Sequence, residues 1–324
     1  MQISRRAALV GVAAAATVGG TVNPLSLKPA NAQAATPSSG VFRYKFGDGE
    51  IIQILDGVRT FPIPDGFVTN ASKEQTAAAL EAVYMPKGQI TNSFSPVVVK
   101  LGGKTIAIDT GNGLAAFEAS KGAVGNCQAN MIAAGIDPKS VDTVIISHFH
   151  GDHIGGIKGT DGKLAYPNAE IMVPSTEWSF FTNEGNMDKA SPTNKGNFAN
   201  VKKTFDGLKV TQFEAGKEIV SGITSVASPG HTPGHTSFVL SSGAKRVMVQ
   251  GDIALFPGVF MRNPDFKIMF DNDADVAVAT RRKLYDMASV EKLPIIGYHF
   301  PFPSAGYVEK DGTGFRLVQA QAGI

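Results

Sequence analysis

Short apolar runs alternate with polar, glycine-containing breaks along most of the chain. Residues 42–46 and 51–55 flank the turn Gly47-Asp48-Gly49, and residues 96–101 and 104–108 flank Gly102-Gly103, so each pair predicts a β-hairpin. Between them, residues 72–84 (SKEQTAAALEAVY) open on an N-capping serine and continue in strong helix formers, which predicts a helix. A second helical stretch is expected over about residues 114–134. Residues 143–147 form a short apolar strand that runs straight into His148. Further strands are expected at 170–173, 208–213, 223–227, 237–240 and 246–249, and helices at about 176–182 and 274–290. In the last helix Ala277, Leu284, Met287 and Ala288 share one face, so it should pack on a sheet. Strands in two blocks, each followed by a helix, predict an α/β fold with two sheets between helical layers. Nothing resembling a linker or repeat divides residues 41–324, which are expected to be one domain.

The first forty residues read differently. Ser4-Arg5-Arg6 precedes an alanine- and glycine-rich apolar run from Ala7 to Gly20, and Ala30-Asn31-Ala32 offers a small-residue cleavage site. This pattern resembles a twin-arginine export signal over residues 1–32, and the run is shorter than the ~20 apolar residues that span a bilayer. Residues 33–40 (QAATPSSG) are read as a disordered lead-in. The expected destination is the periplasm, with no stable membrane anchor once the signal is removed. The leader holds Arg5, Arg6 and Lys28 and no acid, so the chain's 30 basic and 28 acidic side chains become 27 and 28 without it. That balance gives no reason to expect a nucleic-acid partner. Cys127 is the only cysteine, which rules out an intrachain disulfide even in an oxidising compartment.

The chemistry lies in the histidines. The chain has six, and three of them, with an aspartate, crowd into HFHGDH at 148–153. His231 and His235 occur in SPGHTPGHTSF and His299 in IIGYHFPFP, each just after an apolar strand or in a Gly/Pro loop. If the strands run alike, all six reach one rim of the sheets. In an extended segment an i, i+2 pair points two imidazoles the same way, and the following turn aims Asp152 and His153 at an adjacent point. Imidazole and carboxylate suit zinc or another first-row divalent ion, and the lack of cysteine points to an open catalytic site rather than a structural knot.

HFHGDH, PGHTPGH, Val249-Gln250-Gly251-Asp252 and the late His299 together resemble the metallo-β-lactamase superfamily. The resemblance implies an αββα sandwich with two divalent metal ions at the sheet edges, zinc foremost, with manganese, cobalt and iron as alternatives. It implies that His148, His150 and His231 bind one ion, that Asp152, His153 and His299 bind the other, and that Asp252 bridges them. Asp109 and His235 are then orienting supports rather than ligands. Two ions sharing a water lower its pKa towards neutrality, so hydrolysis needs no serine or cysteine nucleophile. Asp152 or Asp252 would carry the proton to the leaving group.

Within the superfamily the chain is similar to methyl parathion hydrolase and its lactonase relatives, through LGGKTIAIDTG, ASPGHTPGHTSFVL, GDIALF and YHFPFPSAGYVEKDGTGFRLV. Dedicated acyl-homoserine lactonases carry a tyrosine three residues after the bridging aspartate, where this chain has Leu255. The resemblance therefore implies a small-molecule substrate that is a neutral, hydrophobic ester or lactone, with phosphotriesters as a further class, and a homodimeric assembly. Trp178, Phe181, Leu255 and Phe256 are the residues expected to touch the substrate. A thioesterase like glyoxalase II lacks a basic cluster late in the chain, and β-lactam hydrolysis is disfavoured because Asp252 stands where dizinc β-lactamases commonly have cysteine. A mononuclear iron persulfide dioxygenase needs only a reduced ligand set, whereas this chain has the full one.

Overall fold

The computed structural model describes residues 40–189 and 192–320. The expected leader, and all of the lead-in but Gly40, lie outside these residues. The first half runs through β1 (Val41–Phe46), β2 (Gly49–Ile54), β3 (Gly57–Pro62), α1 (Lys73–Glu81), β4 (Gln89–Phe94), β5 (Val97–Leu101) and β6 (Lys104–Ile108). It continues with α2 (Gly113–Ser120), α3 (Cys127–Ala133), β7 (Thr143–Ile145), α4 (Gly151–Ile154), β8 (Glu170–Pro174), α5 (Ser175–Phe181), α6 (Glu184–Lys189), α7 (Pro192–Phe205) and β9 (Thr211–Phe213). The second half comprises β10 (Glu218–Val220), β11 (Ile223–Ala227), β12 (Thr236–Ser242), β13 (Lys245–Val249), α8 (Ala274–Glu291), β14 (Pro294–Ile296), β15 (Ala305–Asp311) and β16 (Gly314–Gln319).

Strand order is β1-β2-β5-β6-β7-β8-β9 in one sheet and β10-β11-β12-β13-β14-β15-β16 in the other, while β3 and β4 pair as a separate arm. The period-2 alternation of each strand sorts its side chains between layers. Ile51, Val97, Val99, Ile106 and Ile108 of the first sheet meet Phe238, Leu240, Val247, Val249 and Ile296 of the second in a core between the sheets. Their neighbours Ile52, Val98, Ala107 and Val144 face outwards, towards Met131 of α3, Phe181 of α5 and Phe198 of α7. On the far side Val239, Met248 and Ile295 pack against Leu284, Tyr285 and Ala288 of α8. The result is the αββα sandwich that the sequence predicts.

Two expectations need correction. The single helix over 114–134 is two helices, because Lys121 takes φ 54°, and Gly122 (φ 87°) and Gly125 (φ 89°) follow it in conformations no helix continues. The sequence reading also left out α7 and the β3–β4 arm, which both matter below. The Ser72 cap is present as a capping box with Gln75, and α8 starts on Asp273, whose side chain accepts from the Val276 N–H.

Candidate metal centre

Chemistry gathers where strands end. Asp109 follows β6, the 148–153 segment follows β7, His231 follows β11, Asp252 follows β13 and His299 follows β14. Because β6 and β7 run parallel, as do β13 and β14, their C-terminal ends open on the same rim. Donor atoms there form three overlapping groups: His148 with His150 and His231, His148 with His153 and Asp252, and Asp152 with His153 and His299. All seven residues expected to be ligands are brought together, and Asp109 and His235 stand behind them.

The first group is three imidazoles aimed at one point. His150 Nδ1 lies 3.1 Å from His148 Nε2 and 2.9 Å from His231 Nε2. His231 donates its Nδ1–H to Asp271 Oδ1 at 2.9 Å, which leaves its Nε2 with a lone pair. Burial, reinforced by His153 and His150, holds His148 well below the usual imidazole range. Burial and the neighbouring His231 bring His150 down to about 3. Neutral imidazoles with converging lone pairs cannot all satisfy one another by hydrogen bonds. A cation at that point would satisfy them.

The second group shows the same need in its charges. Burial alone would lower His153, but the carboxylates of Asp252, Asp152 and Asp109 outweigh it and hold this imidazole well above its usual range. His299 is likewise pushed up to about 9 by Asp252 and Asp152 against the effect of burial. The carboxylates of Asp252, buried, and Asp152, half-buried, thus draw positive charge into this space. Even so, His153 Nε2 and Asp252 Oδ1, buried and 3.4 Å apart, make no hydrogen bond, as expected of atoms placed to bind a ligand. Asp252 Oδ2 is 3.5 Å from His231 Nε2 and 3.0 Å from His299 Nε2, so this carboxylate faces both groups. The residues present therefore fit divalent metal ions.

Surrounding side chains fix these donors. Asp109, itself at φ 61°, holds His153 Nδ1 at 2.8 Å and takes the Ser147 N–H and hydroxyl at 2.8 and 2.7 Å. His235 is turned away from the ion groups, and its Nε2 accepts the Asp252 backbone N–H at 2.9 Å. A Cβ at Gly251 would lie 2.6 Å from that nitrogen, and Gly251 has φ 61°, so glycine is required there. His299 donates its Nδ1–H to the Ser93 carbonyl at 2.9 Å.

Four residues of the site carry no sequence signal of their own. Asp271 orients His231. Arg281, fully buried, donates to the carbonyls of Ile253, Pro264 and Phe266 and so shapes the segment between Asp252 and Asp271. Tyr298 stacks on His153, with ring centroids 3.9 Å apart, and donates to the Asp152 carbonyl. Glu177 accepts the Phe149 N–H at 2.9 Å and the Gly234 N–H at 2.8 Å, tying together the two loops that carry the first ion group.

Five of the seven candidate ligands, His150, Asp152, His231, Asp252 and His299, line a cleft of about 1010 Å³, and His148 and His153 lie buried behind them. One wall is the β3–β4 arm, whose cleft face carries Arg59, Phe61, Asn92 and Phe94; the second is α7, with Asn197, Asn200, Lys203 and Thr204 at helical spacing; the third is Leu255, Met269 and Phe270. Of the expected substrate contacts, only Leu255 lies in this cleft. Phe256 is extended (φ −112°, ψ 115°) and points the opposite way, into the core beside Phe67 and Phe260. Trp178 and Phe181 are one helical turn apart on α5 and pack on Phe149, Phe205 and Phe198 over the outer face of the first sheet. Those three assignments are corrected: their apolar surface stabilises the layers and does not reach the cleft.

The family model described as the metallo-beta-lactamase superfamily matches residues 94–289. The chain belongs to that superfamily. Among curated relatives, N-acyl homoserine lactonase AttM of Azorhizobium caulinodans is 35% identical over 123 residues, 35% of this chain and 41% of that protein. N-acyl homoserine lactonase AiiA of Bacillus thuringiensis subsp. kurstaki is 26% identical over 163 residues, 50% of this chain and 56% of that protein. The chain thus spans about half the length of the curated relatives it matches. Among solved superfamily structures, the hydrolase AbOPH aligns with a TM-score of 0.79 and 27% identity, covering 87% of this chain and 98% of that one. The dizinc quorum-quenching lactonase AidC aligns over the same shares with a TM-score of 0.76 and 23% identity, a likeness of fold.

Proposed function

We propose that this protein is a hydrolase of lactones and carboxylic esters that works with two divalent ions. One observation carries the reading: converging imidazole lone pairs, and a buried His153 Nε2 and Asp252 Oδ1 that make no hydrogen bond, stand together where His150, Asp152, His231, Asp252 and His299 line an open cleft. His148, His150 and His231 would hold one ion, Asp152, His153 and His299 the other, with Asp252 shared. When bound, such ions polarise a carbonyl and make a water acidic enough to attack it near neutral pH. A donor set of nitrogen and oxygen supports zinc, with manganese, cobalt and iron as alternatives.

The chain's own residues do the rest. Asp152 lines the cleft with a side chain 22% exposed, while Asp252 is 3% exposed. Burial works to raise Asp152, but His153 and His299 prevail and hold it down to about 2, so it stays ionised. We assign it the proton from the attacking water, taken on Oδ1 and returned to the leaving oxygen. Asp252, fixed through its backbone by His235, keeps the two donor groups in register. Leu255, Met269 and Phe270 offer apolar surface to an acyl chain.

Lactones are favoured among the ester substrates because lactonases recur among the curated relatives. Export to the periplasm belongs to the same reading and is supported by the twin-arginine pattern and the Ala30-Asn31-Ala32 site. A screen of zinc-loaded protein against medium-chain lactones, aryl esters, phosphotriesters and thioesters tests the assignment. Turnover of lactones or aryl esters, abolished by a chelator and restored by the metal, is expected. Turnover of none of the four classes would overturn it.

A further inference from the structure

The cleft is lopsided in charge. Arg59 from β3, Lys158 from the loop after α4 and Lys203 from α7 converge on it from three separate segments. Among the described residues none of the three is in an ion pair; Lys158 donates only to the Asp206 carbonyl, at 2.8 Å. The carboxylates that line the cleft are Asp152, Asp252 and Asp271. All three are committed elsewhere, the first two to His153 and His299 and the third to His231 and Arg281. Asn92, Asn112, Asn197 and Asn200 add amide groups along the same surface, and α7 carries Lys195, Lys202 and Lys203 with no acid.

A solvated lysine face on one helix would be unremarkable. Three cations from different segments, none in an ion pair among the described residues, line one concave site beside amide donors and form instead a surface that attracts anions and offers them charge-assisted hydrogen bonds. The apolar wall of Leu255, Met269 and Phe270 also lines the cleft, so the whole suits an amphiphile. We propose that Arg59, Lys158 and Lys203 select substrates bearing an anionic group remote from the scissile ester or lactone bond, an inference that rests on the hydrolase reading above. The neutral substrate expected from the sequence followed from the family resemblance; α7 and β3, which the sequence reading left out, add the cationic side.

Three aryl butyrates that differ only in the ring substituent test this: one with a sulfonate, one uncharged, one with a trimethylammonium group. In metal-loaded enzyme at low salt, kcat/KM should fall in that order by about 10-fold per step, and the spread should narrow at about 0.5 M salt. Lys203→Glu and Arg59→Glu should each reduce the sulfonate-to-neutral ratio about 10-fold. Equal kcat/KM for the three esters, or a sulfonate preference that survives both charge reversals, would overturn the proposal. If none of the three is hydrolysed, the aryl-ester part of the hydrolase reading fails separately and calorimetry decides the anion site. 4-Nitrobenzenesulfonate should bind more tightly than the matching methyl sulfone and lose about 10-fold in affinity in Lys203→Glu. Equal affinities for the sulfonate and the sulfone would sink the site itself.

Discussion

Glu177 is buried to the point of zero exposure and touches neither ion group, yet it holds the loops of His148–His150 and His231 at once. Glu177→Ala would strip the acceptor from two buried N–H groups, at about 1–3 kcal/mol each, so the loss is about 2–6 kcal/mol before any cavity term. Against a domain stability of about 5–15 kcal/mol that threatens folding itself, so Glu177→Gln is the cleaner probe. Its amide presents one oxygen where the carboxylate presents two, one N–H loses its partner, and urea unfolding should show a loss of about 1–3 kcal/mol. Metal affinity should fall about 10- to 100-fold, as when a ligand's supporting contacts are removed. The pH dependence has a definite sign. Burial pushes Glu177 up to about 7, against the Phe149 and Gly234 N–H groups that pull it down. A carboxyl whose folded pKa exceeds its unfolded value stabilises the fold below the unfolded pKa and loses that contribution as pH rises through the folded one. The stability advantage of wild type over Glu177→Gln should therefore diminish as pH rises from about 4.5 to about 7. Wild-type stability and metal retention in Glu177→Gln, with a pH-independent difference, would refute the clamp.

His231→Ala should lose bound metal, while His235→Ala should keep most of it and show a lowered kcat, since His235 grips only the Asp252 backbone; metal analysis of both variants separates the roles. Arg281→Met should destabilise by about 3–5 kcal/mol, because three carbonyls and Asp271 lose a buried cation at once; thermal unfolding reads the loss. Leu255→Tyr places a hydroxyl on the cleft wall and should raise the lactone-to-aryl-ester ratio of kcat/KM several-fold; an unchanged ratio would remove Leu255 from the substrate surface.

The sandwich and the cluster of candidate ligands were legible because both are written locally. Alternating apolar strands report the two sheets, and HFHGDH packs four donors into six positions whose spacing alone suggests an ion. What escaped depends on distance along the chain. Asp271 meets His231 across 40 residues and Glu177 meets Gly234 across 57, and neither partnership leaves a periodic trace. The cleft walls were hidden for a different reason. Helix α7 (PTNKGNFANVKKTF) contains a proline, a glycine and three asparagines, so propensity argues against a helix that tertiary packing nevertheless maintains. Trp178, Phe181 and Phe256 misled because an aromatic near a site reads the same in a core as in a pocket.

Metal stoichiometry tests most directly the proposal that seven side chains hold two ions. After loading with zinc and exhaustive dialysis, elemental analysis should find two ions per wild-type chain and fewer in Asp252→Ala, whose loss of turnover should be by orders of magnitude. One tightly held iron per chain purified from its native host, or two ions and near-normal turnover in Asp252→Ala, would contradict it.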